Sequence, residues 1–490
     1  MFLGIDLGTS EVKLLLLDAA GLVVGQSGAT LDVMRPQPLW SEQDPAQWWK
    51  ATEDAVARLR TAHPAEFARV RAIGLSGQMH GAVLLGQEDA VLRPAILWND
   101  GRSHAECAEL EARAPRLHAI AANLAMPGFT APKLLWVRRH ERDIFARVRS
   151  VLLPKDWLRL RLTGEKVSDP SDAAGTLWLD VAARDWSDEL LAACDLSRAH
   201  MPSLVESNAP CGVLRPELAR AWGLGPEVIV AGGAGDNAAS AIGVGATEPG
   251  DGFISLGTSG VLFVVDDRHR GNVGSAVHAF CHALPQRWHQ MSVMLSAASC
   301  LKWFVQFSGA ADEASLLAEV AALPADVLAE APLFLPYLAG ERTPHNDPFA
   351  AGVFYGLSHQ SGRALGAYAV LEGVAFGLAD GLAALRASGT VVHRLSLVGG
   401  GARSALWAQL IADALDVEIV VHAGAEAGGA LGAARLGWMA AGASVEQACT
   451  RPAVTARFLP DAAHADALAP RLQRFRQIYR QLKPLWGPAA

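Results

Sequence analysis

A chain of 490 residues, 51% apolar and 19% charged, can hold two or three domains with a sizeable core, far from disordered, collagen-like or disulfide-scaffold compositions. Its formal net charge of −8, with both signs mixed along the chain, gives no basic stripe and no expectation of a nucleic acid or membrane partner. Cys107, Cys194, Cys211, Cys281, Cys300 and Cys449 form no Cys-x-x-Cys pair, the chain opens on a strand without a basic leader, and no uncharged apolar run of about 18 residues occurs. This pattern reads as a cytoplasmic protein with structural thiols.

In chain order, Phe2 to Asp6, Lys13 to Asp18 and Leu22 to Gln26 read as a strand meander with a turn at Ala20-Gly21. Pro45 to Arg60 follows as a helix with Asp44 as N-cap. Val70 to Ser76 is a buried strand running into Gly77, and Val228 to Ala231 another running into Gly232-Gly233. Gly245 to Gly252 is dense in turn formers and marks a domain boundary. Immediately beyond it, Phe253-Ile254-Ser255-Leu256-Gly257-Thr258-Ser259 repeats Gly4-Ile5-Asp6-Leu7-Gly8-Thr9-Ser10. Each runs through Leu-Gly-Thr-Ser into a second apolar run, Val12 to Leu17 and Val261 to Val265, which is a hairpin signal given twice.

Leu395 to Val398 then runs into Gly399-Gly400-Gly401, as the earlier strand ran into Gly77. Leu406 to Leu415 and Ala430 to Ala441 carry helical spacing, and Leu468 to Leu482 reads as an amphipathic surface helix. The second half repeats the first in outline, so the chain is an α/β protein of two related lobes with a cleft between them. The expected division is residues 1–245, residues 246–440 and a helical C-terminal extension, 441–490, packed on the lobes.

Two facing Gly-Thr-Ser turns, whose backbone N–H groups are free to meet an anion, could grip one polyphosphate. Asp6 ends a strand just before the first turn, where a carboxylate either holds magnesium beside phosphates or caps its own turn. Lys13 either reaches a phosphate or is a solvated strand lysine. Asp236 follows an apolar strand and a run of glycines, which suits a general base for a hydroxyl and equally a helix N-cap. Gln78, Met79 and His80 lie on a loop after a strand, the place where α/β proteins put ligand contacts; His80 is read either as a ligand or as a structural histidine. Trp98, Asn99, Asp100 and Arg102 suit either a sugar or a surface turn. Gly399 to Ser404 and Gly428 to Ala433 open helices without bulk and could leave a slot for a flat adenosine. His278, His282 and His289 follow a strand and turn without a carboxylate partner, which argues against a metal site.

These residues match a known family. Gly4 to Lys13, Leu39 to Pro45, Gly77 to Gly81, Ile96 to Arg102, Gly128 to His140, Asp236-Asn237 and Phe334 to His345 together resemble the FGGY sugar kinases, over essentially the whole length. The resemblance implies the two-lobed actin-like ATPase (ribonuclease H-like) fold, ATP and magnesium as cofactors, and a small sugar as substrate. Among these kinases Gln78-Met79-His80-Gly81 is most diagnostic of xylulose, so the implied reaction is phosphorylation of D-xylulose at its terminal hydroxyl. Asp236 is then the implied base and Asp6 the residue at the magnesium and phosphate end. Gln78, Met79, His80, Trp98, Asn99 and Asn237 become the implied sugar contacts. Gly8, Thr9, Ser10, Lys13, Gly257, Thr258 and Ser259 become phosphate contacts, and Gly400, Gly401 and Gly432 line the adenosine slot. Another ketose or polyol, or an actin-like nucleotide switch without a small substrate, are the rival readings, and the oligomeric state stays open, a homodimer included. Two departures stand out. Glu11 puts a negative charge beside the proposed phosphates and is expected to point outward, and Leu365-Gly366 replaces the usual polar-aliphatic pair, which puts local packing in question.

Overall fold

Both Leu-Gly-Thr-Ser segments are hairpin turns. The structure, a computed structural model, describes residues 1–423 and 428–487. In the first lobe β1 (Phe2–Leu7) and β2 (Glu11–Leu17) pair antiparallel, with Leu7 opposite Val12, and Gly8 N–H donates to Glu11 O at 3.0 Å across the turn. β3 (Val23–Thr30) extends the meander. α1 (Pro45–Ala62) starts where Asp44 accepts from Ala46 N–H at 2.9 Å, and it buries Trp48, Ala55 and Leu59 against the sheet. β4 (Ala72–Gly77) lies parallel to β1. The chain then leaves the sheet for an excursion of short helices that includes α2 (Pro154–Thr163), and returns through β5 (Pro210–Val213), β6 (Ile229–Ala231) and α3 (Asp236–Val244).

The second lobe supplies β7 (Asp251–Leu256), β8 (Gly260–Asp266), β9 (His278–Cys281), β10 (Trp288–Met294), α4 (Arg363–Ala387), β11 (Arg394–Val398), α5 (Ala405–Leu415), β12 (Glu418–His422), α6 (Gly428–Ala440), β13 (Val454–Phe458) and α7 (Ala462–Leu482). The sheets run β5-β6-β4-β1-β2-β3 and β13-β12-β11-β7-β8-β10-β9. Six positions therefore match strand for strand and in direction, which is the duplication the twin hairpins announced. The antiparallel edge strand differs in one respect. In the first lobe it precedes its partner in the chain, whereas in the second it follows, drawn from the tail. Residues 441–490 are thus not simply a helical extension: β13 completes the second sheet, and α7 packs on the second lobe alone.

α4 is long and apolar enough to span a membrane by length and composition, yet it is the spine of the second lobe's core. Its carboxylates are paired to the tail, Glu372 to Arg471 at 2.6 and 2.7 Å and Asp380 to Arg476 at 2.6 Å. At its start the Leu365-Gly366 departure has a packing reason, because a Cβ on Gly366 would fall 2.6 Å from the Phe304 ring.

The lobes are joined by exchange of their closing helices. α6, which lies in chain order between the last two strands of the second sheet, covers the first, packing Ala430, Leu431 and Ala434 on Phe2, Leu15, Leu17 and Ala72. α3, which follows the first sheet, puts Ala241 and Val244 into a core shared with Phe253 and Phe263 of the second. Backbones touch along this seam: a Cβ on Gly4 would lie 2.0 Å from Ala430 O, on Gly74 1.7 Å from Ala433 O, and on Gly432 1.7 Å from Ala239 O. Gly432, expected in the adenosine slot, is instead the contact between α6 and α3. Gly432→Ala is expected to cost roughly 3 kcal/mol of stability, since backbone rather than a side chain must give way. Thermal unfolding together with the KM for ATP checks this; a slot residue would raise that KM and leave the melting temperature unchanged.

Candidate active site

Asp6 closes β1 with its carboxylate held by Ser76 Oγ, which donates to Oδ1 at 2.8 Å from the neighbouring β4. The start of α6 abuts it, since a Cβ on Gly429 would come within 2.7 Å of Oδ2. Burial pushes its pKa up, and the bond from Ser76 and the charge of Lys13 oppose that rise. Asp236 opens α3 and accepts from its neighbour's backbone N–H at 2.7 Å and from Asn237 Nδ2 at 2.9 Å. Burial, then the negative charge of Asp6, raises its pKa to about 7. Two carboxylates from different elements therefore lie close enough to feel each other's charge, one poised near neutrality as a general base should be. Asn237 spends its amide on orienting Asp236.

His80, which follows the Met79 packed against Gly235, stands at φ 68°, with its carbonyl gripped by Lys133 Nζ at 2.8 Å and Thr130 Oγ1 at 3.0 Å. Its Nδ1–H donates to Gly175 O at 2.7 Å, and burial pushes the ring pKa down to about 3. The imidazole is neutral and keeps Nε2 as an acceptor. Met79 fills the space that Gly235 and Gly175 leave open; a Cβ on either would meet it at 2.9 Å. Gln78 behaves differently from expectation. It is buried, accepts from Thr9 Oγ1 at 3.0 Å and donates to Gln43 Oε1 at 3.0 Å, so it ties the first hairpin to β4 and has no reach left for a sugar. Thr9 is likewise committed, because Trp98 Nε1 donates to the same hydroxyl at 3.0 Å. Trp98 thus braces the turn, and Asn99 lies exposed with no hydrogen bond to a described residue. Asp100 and Arg102 form a buried ion pair at 2.7 Å, with Arg102 stacked 3.6 Å over Trp40.

The hairpins open on two hollows that adjoin at Arg403. The first, about 750 Å³, is lined by Glu11, Lys13, Val398 and Gly399 between the sheets. The second, about 820 Å³, is lined by Gly257, Thr258, Gly400, Gly401, Lys302 and Trp407. Ser10 and Thr258 are exposed at the turn tips, and Ser259, next to Thr258 in the second turn, is half-buried. Glu11 does not turn away from Lys13. The two pair at 2.8 Å on one face of β2, both half-exposed, and this contact raises the lysine's pKa. Lys302 was not singled out from sequence, having no motif around it; Arg342 lay within a recognised segment without a role, yet contacts His278 Nε2 at 3.3 Å and is near enough to depress the pKa of His80. His289 and His278 stack on Phe263 and Phe280, His282 meets Phe263 edge to face, and burial pushes all three ring pKa values down.

Comparison with known proteins accounts for this geometry. The model of the FGGY family of carbohydrate kinases, N-terminal domain, matches residues 1–243, and the C-terminal domain model matches residues 252–441. The chain belongs to the FGGY family of carbohydrate kinases and has the two-lobed actin-like ATPase fold. It is similar to a xylulose kinase of Escherichia coli, 54% identical over 99% of this chain and 100% of the relative, and to one of Bacillus subtilis, 36% identical over 99% and 97%. Among solved structures it resembles a xyloylose kinase from Brucella ovis (54% identity, TM-score 0.96, 99% of each chain) and a xylulose kinase from Rhodospirillum rubrum (29%, 0.91, 99% of each).

Two substitutions probe the nucleotide side. Gly400 has open space above it, with only Arg403 Nη2 at 3.6 Å, so Gly400→Val should narrow the larger hollow, raise the KM for ATP about tenfold and leave the melting temperature unchanged. Glu11→Ala removes a negative charge and releases Lys13, and is expected to lower the KM for ATP two- to fivefold, roughly 0.5–1 kcal/mol, an effect that salt should erode. Steady-state kinetics at low and high ionic strength measure both.

Proposed function

We propose that the protein transfers the γ-phosphoryl group of ATP to the terminal hydroxyl of D-xylulose, giving xylulose 5-phosphate and ADP. The observation that carries this is Asp236, a carboxylate of pKa about 7 close enough to Asp6 to feel its charge, directly after the Gly235 against which Met79 packs. A sugar alcohol is a poor nucleophile, so the reaction asks for a positioned base and in-line geometry more than for covalent chemistry. Asp236 takes the hydroxyl proton as the oxygen meets the γ-phosphorus. Neutral His80 accepts from a sugar hydroxyl through Nε2, and Met79 supplies an apolar wall. The backbone N–H groups of Thr9 and Ser10 and of Thr258 and Ser259, beyond the turn-closing bonds that Gly8 and Gly257 donate, hold the phosphates, and Gly400 and Gly401 border the adenosine.

Asp6, at the phosphate end, its carboxylate bonded among the described residues only by Ser76, is the kind of donor magnesium takes when phosphates and waters complete its shell. When bound, that ion spreads the charge of the γ-phosphate. Sugar binding and closure of the lobes would exclude water, so slow sugar-independent hydrolysis of ATP fits the same site.

ADP release with ATP and magnesium, measured across pentuloses and polyols, tests the reading: D-xylulose should give the highest kcat/KM, and an ATPase indifferent to every sugar would overturn it. Asp236→Ala should reduce turnover at least a thousandfold while ADP still binds. Because the base must be unprotonated, kcat/KM should fall about tenfold per pH unit below pH 7. The same shift predicts a stability effect. A folded pKa above the ordinary 3.8 means the folded state binds more protons between those values, so this contribution is full below pH 3.8 and lost as pH rises through 7. Asp236→Asn should therefore stabilise the protein on the order of 2 kcal/mol at pH 8 and not at pH 4, read by thermal unfolding.

A further inference from the structure

Behind the site lies a charge cluster with no solvent contact. Lys155, Asp156 and Arg159 of α2, together with Asp169 and Asp172 of the following loop and short helix, are each fully buried. Lys155 Nζ sits 2.6 Å from Asp156, 2.7 Å from Asp169 and 3.1 Å from Asp172. Arg159 contacts Asp156 at 2.8 Å and donates to Gly232 O. Such a group is costly to bury unless its members satisfy one another, and replacing it with apolar side chains is often neutral or stabilising, so fold stability alone does not explain it. Burial works against the charge on Lys155, but the acidic side chains around it outweigh burial and push its pKa up, while burial pushes the pKa of Asp172 well up against the pull of Lys155.

The cluster reaches the site by two routes through one segment, residues 169–176. Asp169 Oδ2 accepts from Ser171 Oγ at 2.5 Å and from Ser207 Oγ at 2.8 Å, and Ser171 Oγ in turn accepts Gly235 N–H at 3.2 Å, directly before Asp236. Asp172 lies one helical turn before Gly175, whose carbonyl takes the Nδ1–H of His80. Lys155 also lies under Gly77, where a Cβ would meet its own at 2.9 Å, just before the loop that carries Met79 and His80.

We propose that Lys155 is a positioning residue: by anchoring Asp169 and Asp172 it fixes, on one rigid segment, both the start of the helix bearing Asp236 and the carbonyl that orients His80. Base and sugar ligand are thereby held at a set separation. The inference rests on the roles given above to Asp236 and His80. Its direct test does not depend on turnover. Amide hydrogen exchange in Lys155→Met should quicken at Gly235–Asn237 and at His80–Gly81 alike, whereas Ser171→Ala, which leaves every charge in place, should quicken only the former.

Kinetics then give the split. Ser171→Ala should lower kcat about tenfold with the KM for D-xylulose within twofold; Lys155→Met should move both, lowering kcat/KM at least a hundredfold, with the KM for ATP unchanged in each. Exchange at both segments unaltered in the folded variants, or losses shared equally between ATP and sugar, would overturn the proposal. Should Lys155→Met fail to fold, Ser171→Ala decides: unaltered exchange at Gly235 with wild-type kcat refutes the link. Wild-type protein inert toward every sugar would refute the catalytic reading while the exchange result still stands on its own.

Discussion

The seam where α6 meets β1, β4 and α3 is the constraint on which the remaining geometry depends. Backbone lies against backbone there because Gly4, Gly74 and Gly432 carry no Cβ, and any side chain at these points would land on a carbonyl oxygen. Close approach of this kind has little compressible slack, so the helix cannot slide without moving both lobes. It also brings the first turn of α6 onto the Asp6 carboxylate. A chain that exchanges helices in this way has two sheets tied along one backbone seam, and the hollows open beside that seam.

Around that seam the side chains proposed to do chemistry are distinct from those that hold them. Asp6, Asp236 and His80 keep atoms available to a ligand. Gln78, Thr9, Trp98, Asn237 and Ser76 spend their polar atoms on one another or on the reactive carboxylates. The raised pKa of Asp236 follows from this arrangement, because burial and the nearby charge of Asp6 outweigh the two bonds from Asn237 that favour the charged form. Function is bought here with stability, as a poised base must be.

The Glu11–Lys13 pair shows the same economy at the phosphate end. An acidic residue beside an anion site would repel the ligand were it alone, yet it sits against a lysine on the same strand face and the pair is close to neutral. Nucleotide affinity then reflects how readily that exposed contact yields, which is why ionic strength bears on it.

Sequence alone determined the local half of this picture. Hairpins, strand ends, the Asp44 cap and the two reactive aspartates are written in short-range patterns of apolar alternation, glycine and capping residues, and the Leu-Gly-Thr-Ser repeat disclosed the duplication. Tertiary structure decided the rest. That Gln78 braces a turn, that Gly432 serves helix packing, that the tail lends a strand to the second sheet, and that Lys155 gathers three carboxylates under the site all depend on residues far apart in the chain. The physical reason is the same in each case: a glycine or an amide looks alike in sequence whether its neighbour is a ligand or a distant stretch of backbone, and only packing settles which of the two it meets.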